Sequence, residues 1–461
     1  MTPINADAGS GLQNVIWNHI SPGDRIFMYG GVYSSMPYLP NSISGTELNR
    51  TLLTSVPGQE AIFDGGYDGS NGLAPGGGGN GITIGGSFIT VSNLVVRNSR
   101  ESGITFFADP GVTISNVAIV GNVVSNAYRS AIVTGNNADG TRTHSLLVEG
   151  NTVTLYALHN QERSATDHWN NGIGIGSSNS VVRNNVVHRG YGEGIILAGI
   201  GNIAEENVVF DVYSAGIYLD GSVGGILRRN VIYSTYDESF FVTNGFGNGP
   251  ASGIQVASEL PADDPRVFLS SGNVIHDNFV IGGRSGFYYG DYMEGGGFDL
   301  SLVFDNTFFT TNATIGLIHF DVIAPNTHDA SLISNNVFMA GIGSELTSFW
   351  GSLSGLSFAD NAWSPAYTGD FSGVGDIMMG VSFQSEIQKF ASALLQADPH
   401  SLVWNLKYAD DLGLQGAYFT FLQEVQSIPE PATWPLLLTV LILGALCRKR
   451  RAYQPVEISV K

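Results

Sequence analysis

The chain has 461 residues, 43% of them hydrophobic and only 13% charged, which is enough apolar surface for a large core and excludes an intrinsically disordered chain. Its net charge is −20, and the four lysines (Lys389, Lys407, Lys449 and Lys461) lie near the C-terminus, which excludes a basic surface for nucleic acid. The single cysteine, Cys447, excludes disulfides and cysteine-ligated metal centres.

In chain order, Met1-Thr-Pro-Ile-Asn-Ala-Asp has neither the basic start nor the apolar run of a signal peptide. Because features near the C-terminus require export, an upstream extension carrying that signal is expected. Gly11 to Ile20 then sets Leu12, Val15, Ile16 and His19 on one helical face, which predicts an N-terminal cap over residues 1–20. Gly65 to Asn80 is glycine-rich and predicts a surface loop; no Lys-Ser/Thr helix succeeds it, so it is not a phosphate cradle.

From residue 21 to 365 the chain is repetitive. Asn followed by two apolar or threonine positions recurs at Asn122, Asn151, Asn185, Asn207, Asn230, Asn278, Asn306, Asn336 and Asn361. Its shortest steps, 22 and 23 residues, define one coil. A second marker, Gly before apolar residues, recurs at Gly172, Gly194, Gly216, Gly253, Gly286 and Gly316. A unit this small buries its apolar face only by stacking on its copies. The expected fold is therefore all-β: a single-stranded right-handed parallel β-helix (solenoid) with short helical caps and a C-terminal membrane-sorting helix. Asn185, Asn207 and Asn230 should stack as an amide ladder, with Arg183, Glu205 and Arg228 as an alternating charge ladder beside them.

With Ser21-Pro-Gly-Asp-Arg-Ile-Phe-Met-Tyr-Gly-Gly-Val-Tyr as its opening, this stretch resembles the right-handed β-helix repeat family, the pectate-lyase-like superfamily of polysaccharide-active and uncharacterised secreted proteins. The resemblance implies a polysaccharide partner outside the cytoplasm. It carries over no catalytic set: the paired aspartates, Gly-His-Gly and Arg-Ile-Lys of polygalacturonases are missing, and no lysine is available for elimination. The acidic chain accepts an acidic glycan only through Ca²⁺ or local arginines, whereas neutral glycans meet no such barrier.

Candidate chemistry falls in and after the surplus residues between Asn151 and Asn185, where Arg163, Asp167, His168 and Trp169 can bind or stack on a sugar. The 22 to 23 residue register places Glu193 over Ala215 and then Glu238, two coils or roughly 9–10 Å apart, a spacing that suits an inverting glycosidase. Asp237 lies beside Glu238. Tyr191, Tyr213 and Tyr236 recur in the same corner, either as a sugar platform or as ordinary aromatic stacking in a turn. Tyr218 precedes Asp220, which is expected to close its strand and begin a turn. No metal-spaced cluster is present, and plain surface charge is the competing reading of the carboxylates.

Beyond the coils, residues 366–427 read as a C-terminal cap in which Ile387, Phe390, Ala391, Leu394 and Leu395 repeat at helical spacing behind Ser385-Glu-Ile-Gln388. Pro429, Glu430 and Pro431 then precede an apolar run and Arg448-Lys449-Arg450-Arg451, with a tail over 452–461. Residues 428–451 resemble the PEP-CTERM sorting signal, although Pro435 and the residues after the basic cluster depart from its pattern. This resemblance implies exosortase as a partner, transient inner-membrane anchoring by residues 434–447, and a place in the cell envelope or extracellular matrix of a Gram-negative bacterium. Three functions are open to a monomeric body: a polysaccharide-active enzyme, hydrolase ahead of lyase; a non-catalytic glycan-binding module; or a structural, adhesive matrix protein.

Overall fold

Each coil bends where the residue before a ladder asparagine takes the left-handed backbone conformation: Asn184, Glu206, Arg229, Asp277, Asp305, Asn335 and Asp360 all do so, with φ between 54° and 60°. Non-glycine residues resist that conformation. Here it is held by the amide of the next residue. In the computed structural model the asparagine ladder runs unbroken through nine residues: each amide donates to the next Oδ1, from Asn122 to Asn151 at 3.0 Å through to Asn336 and Asn361 at 3.1 Å. The same Oδ1 accepts the backbone N–H of the preceding ladder residue, and Nδ2 also donates to a main-chain carbonyl further back. At the last rung Asp376 takes over, accepting from Asn361 N at 2.8 Å and Trp363 Nε1 at 2.8 Å.

The structure describes residues 11–70, 79–107, 109, 111–135, 142–162, 170–243, 249–259, 269–291, 297–310, 315–322, 328–341, 344–364, 371 and 373–378. Three parallel sheets of 12, 13 and 11 strands wind through these residues as a right-handed β-helix, with a further two-stranded pairing. The first sheet runs from Arg25–Met28 to Leu356–Ala359, the second from Gly31–Tyr33 to Ile377–Met378, and the third from Tyr38–Leu39 to Thr347–Trp350. Strands therefore continue past residue 365, where the repeats of the sequence fade.

Alternate residues of each strand point inward, so Val187, Val209, Ile232, Val280, Phe308 and Phe338 form one column of a continuous apolar core. The glycine marker has a packing reason. A Cβ on Gly216 would lie 2.4 Å from Ile232 Cγ2 and 2.7 Å from the Gly253 carbonyl, and Gly172, Gly194 and Gly253 are as confined. Gly316 leaves this column: Gly286 packs against Leu317 instead, and Gly316 takes φ +97°. The charge ladder also forms, with Arg183 on Glu149 at 3.0 Å and Arg228 on Glu205 at 2.6 Å.

The N-terminal helix, Gly11–His19, covers the first coil with Leu12 and Ile16. Gln13 donates to the Tyr38 carbonyl at 2.9 Å and accepts the Tyr38 N–H at 2.8 Å, which satisfies the edge strand of the third sheet. Among the described residues no helix is long and apolar enough to cross a membrane. The expected C-terminal cap beyond 378 and the sorting segment lie outside the described residues.

Candidate functional site

The outer face of the third sheet gathers the chemistry. Its register aligns Ile196, Tyr218, Gln255, Tyr288, His319 and Ser348 in one outward row, and Asp220, Ala257, Gly290, Asp321 and Trp350 in the next. Period-2 alternation turns these side chains away from the core, whose own row is Ile195, Ile217, Ile254, Phe287 and Ile318.

An acidic centre occupies the middle coils of this face. Glu193, at the start of its strand, is 5% exposed and accepts a hydrogen bond from Asn171 Nδ2 at 2.7 Å. Burial, together with Glu259 and Asp220 nearby, holds its carboxyl well above the ordinary range. Asp220 is partly exposed, and burial together with Glu259 lifts it to about 7. Tyr218 Oη donates to Glu259 Oε1 at 2.6 Å, and burial beside Asp220 keeps the phenol protonated. Three carboxyl groups and a phenol thus lie near one another, and burial raises Glu193, Asp220 and Tyr218 among them, a perturbation that marks acid–base sites.

A second centre lies three coils along, roughly 14 Å at one strand spacing per coil. His319 stacks on Tyr288 with ring centres 5.0 Å apart, and meets Trp350 edge-on at 5.7 Å. Burial and the Arg284 guanidinium lower His319 to about 4, so the imidazole is neutral at pH 7. Asp321, on the adjacent row, is raised by burial, and Trp350 is 66% exposed. Among the described residues no group of three or more acidic, histidine or cysteine side chains is placed to hold a metal ion.

The expected sites fare unevenly against this geometry. Ser252, not Glu238, pairs with Ala215, because residues 235 to 251 leave the coil before the next third-sheet strand begins. Glu193 and Glu238 are therefore not stacked two coils apart. Glu238 opens an exposed 3₁₀ turn, Glu238–Phe240, whose cap Asp237 accepts from Ser239 N at 3.0 Å. Tyr191 and Tyr213 are 8% and 0% exposed, with Tyr191 packing on Phe240 at 5.2 Å, so neither presents a ring face to solvent. Tyr236 is partly exposed and left-handed, at φ 62°. Asp220 does not begin a turn: it lies inside the strand Ala215–Val223, paired with Ala257. Arg163, Asp167, His168 and Trp169 lie outside the described residues, as do Pro429, Glu430 and Pro431.

Glu259, Gln255, Arg284, Tyr288, His319 and Trp350 were not singled out from the sequence. A signal existed for some of them: the residue two beyond each column glycine, Gly216, Gly253 and Gly286, is Tyr218, Gln255 and Tyr288. The rule fails at Gly316, which left His319 hidden.

No protein-family model matches the chain, and no characterised protein matches it by sequence. Solved structures do resemble it. An arginine-to-alanine variant of a family-6 alginate lyase superposes with a TM-score of 0.50 at 16% identity, over 80% of this chain and 52% of that one, so the chain spans about half of that lyase's length. The alginate lyase of Paenibacillus sp. strain FPU-7 gives 0.47 at 13% identity, over 75% and 96% of the two chains. A surface adhesin of Streptococcus pneumoniae gives 0.45 at 10% identity, over 79% and 91%. At such identities the likeness establishes a fold, and the fold of this chain is a parallel β-helix.

Proposed function

We propose that the outer face of the third sheet binds an extracellular polysaccharide and that its acidic centre transfers protons during cleavage. The observation that carries this reading is the grouping of Glu193, whose carboxyl burial raises well above the ordinary range, with Asp220, lifted to about 7, around the Tyr218–Glu259 hydrogen bond. A proton donor and an acceptor poised near neutrality serve hydrolysis of a glycosidic bond, with Glu193 as acid and Asp220 as base. Trp350, 66% exposed, supplies aromatic surface further along the same face, edge-on to the buried Tyr288–His319 stack. Proteins of like fold include lyases that act on alginate, which supports a polysaccharide as the ligand.

A specific observation favours elimination as a second reading. Arg284 lies near His319, which is neutral at pH 7, so a guanidinium and an unprotonated imidazole stand together on this face. The two chemistries leave different products. The full-length protein, incubated with neutral and acidic polysaccharides with and without Ca²⁺, is expected to release new reducing ends. Glu193→Gln and Asp220→Asn should each lower the rate at least about 100-fold. Unsaturated products lost in His319→Ala would install the elimination reading. Full activity in both carboxyl variants would remove the acidic centre from the reaction, and retained activity in Glu238→Gln would remove Glu238.

For the whole protein we propose export, recognition of Pro429-Glu430-Pro431 by an exosortase, and passing membrane retention by residues 434–447. The Pro-Glu-Pro motif, apolar run and Arg448 to Arg451 cluster support this order. Blocking it with Glu430→Ala should leave the chain in the inner membrane fraction.

A further inference from the structure

The corner that joins the second sheet to the third carries aromatic rings well before Tyr191. Tyr67 follows the strand Ala61–Asp64, Tyr128 follows Val123–Ser125, and His159 follows Thr152–Thr154. Tyr128 stands between the other two: its ring centre is 5.5 Å from that of Tyr67 and 5.6 Å from that of His159. All three are partly exposed, whereas Tyr191 and Tyr213, at the same corner further along, are 8% and 0% exposed. An aromatic row does reach the surface of this corner, on earlier coils than the recurrence of Tyr191, Tyr213 and Tyr236 suggested.

The backbone holds these rings in place. The main-chain N–H of Tyr67 donates to the Asn98 carbonyl at 2.8 Å, and that of Tyr128 to the Ser99 carbonyl at 2.9 Å. His159 is pinned twice to the coil before it, through its N–H on the Tyr128 carbonyl at 3.1 Å and through Nδ1 on the same oxygen at 2.8 Å. Rings fixed in advance lose little freedom when a ligand stacks on them. Polar side chains that reach solvent follow each ring: Asp68 after Tyr67, Arg129 after Tyr128, and Gln161 and Glu162 after His159. Apolar rings with carboxylate, guanidinium and amide groups at their margins match a sugar, which has a C–H face and a rim of hydroxyls.

The geometry also selects the form of the glycan. Successive rings are inclined by 63° and 51°, so they do not lie together against a flat crystalline surface. They suit one chain whose sugars turn as they advance. Coil by coil, the row runs toward the acidic centre. The chain leaving its last corner enters the strand Asn171–Gly176, where Asn171 pairs with Glu193 of the next coil and donates to its carboxyl at 2.7 Å. We propose that Tyr67, Tyr128 and His159 hold a single soluble polysaccharide chain and lead it to the acidic centre, the second half of which rests on the function proposed above.

Affinity electrophoresis of the full-length protein tests this, with hydroxyethyl cellulose, laminarin and alginate as the polymers. At least one should retard the wild type. Tyr67→Ala combined with Tyr128→Ala should raise the apparent Kd for that polymer at least about tenfold, and Tyr67→Phe with Tyr128→Phe should leave it near the wild-type value. Full retardation of the alanine variant overturns the row, and so does a wild type that none of the three polymers retards. Should the alanine variant not fold, hydroxyl-radical footprinting of the unaltered chain gives an independent answer. The retarding polymer is expected to protect Tyr67, Tyr128 and His159, and equal oxidation with and without it overturns the proposal. The row and the acidic centre fail separately. Retardation lost in the alanine variant, with cleavage at the wild-type rate in Glu193→Gln, keeps the row and removes the centre. Retardation intact in the alanine variant, with cleavage abolished in Glu193→Gln, removes the row and keeps the centre.

Discussion

Asp220 and His319 show how one sheet face sets opposite proton affinities. Both are desolvated, and desolvation disfavours whichever form is charged: the aspartate is lifted from 3.8 to about 7, and the imidazole falls from 6.5 to about 4. Their effects on folding run in opposite directions. The folded state keeps a proton on Asp220 that the unfolded chain releases, so this contribution is full below about pH 4, is lost as pH rises towards 7, and then stays level. That of His319 is full above about pH 6.5 and is lost as pH falls towards 4. The wild-type profile sums the two, so the informative quantity is the difference between Asp220→Asn and wild type. Urea unfolding should show this difference near zero at pH 4, growing to about 1–3 kcal/mol in favour of the variant at pH 8. A difference that does not change with pH would mean that Asp220 is an ordinary surface carboxylate.

At the scale of elements, the asparagine ladder and the ion-pair ladder sit on neighbouring positions of the same turns and differ in what they contribute. Asn207 is fully buried; its Oδ1 accepts from the Asn185 N–H at 3.0 Å, and its Nδ2 donates to the Val182 carbonyl at 2.9 Å. Asn207→Asp removes donors and places a charge where no solvent reaches, which should cost about 3 kcal/mol or more. Arg228 is one third exposed, and solvent screens its pair with Glu205. Arg228→Ala should cost under about 1 kcal/mol. Guanidinium unfolding of both variants at pH 7 checks the order, and equal losses would contradict it. The ladder could be seen in the sequence because each rung recurs with the coil. The error over Glu238 came from the same logic: an even step of 22 to 23 residues does not reveal that residues 235 to 251 make an excursion first.

For the molecule as a whole, the open end of a solenoid is the hazard. Ile16 is fully buried beneath the first coil and Gln13 occupies both backbone groups of Tyr38, so the helix Gly11–His19 closes core and edge together. Ile16→Asp should cost about 3–4 kcal/mol and expose the first strands to pairing with other copies. Light scattering on gentle heating should then rise in the variant below the melting temperature of the wild type. A monodisperse, equally stable variant would show that the first coil needs no cap.

The amino-acid sequence by itself determined the solenoid, its coil length, the rungs of its ladder and the capping helix. Each of these repeats in register or obeys helical periodicity, so local spacing specifies it. Tertiary structure alone decided the site. Tyr218, Gln255, Tyr288 and His319 are separated by insertions of different length, and only the pairing of their strands brings them into one row. The proton affinities of Glu193, Asp220 and His319 arise from burial and from neighbours on other coils, quantities that no linear spacing contains.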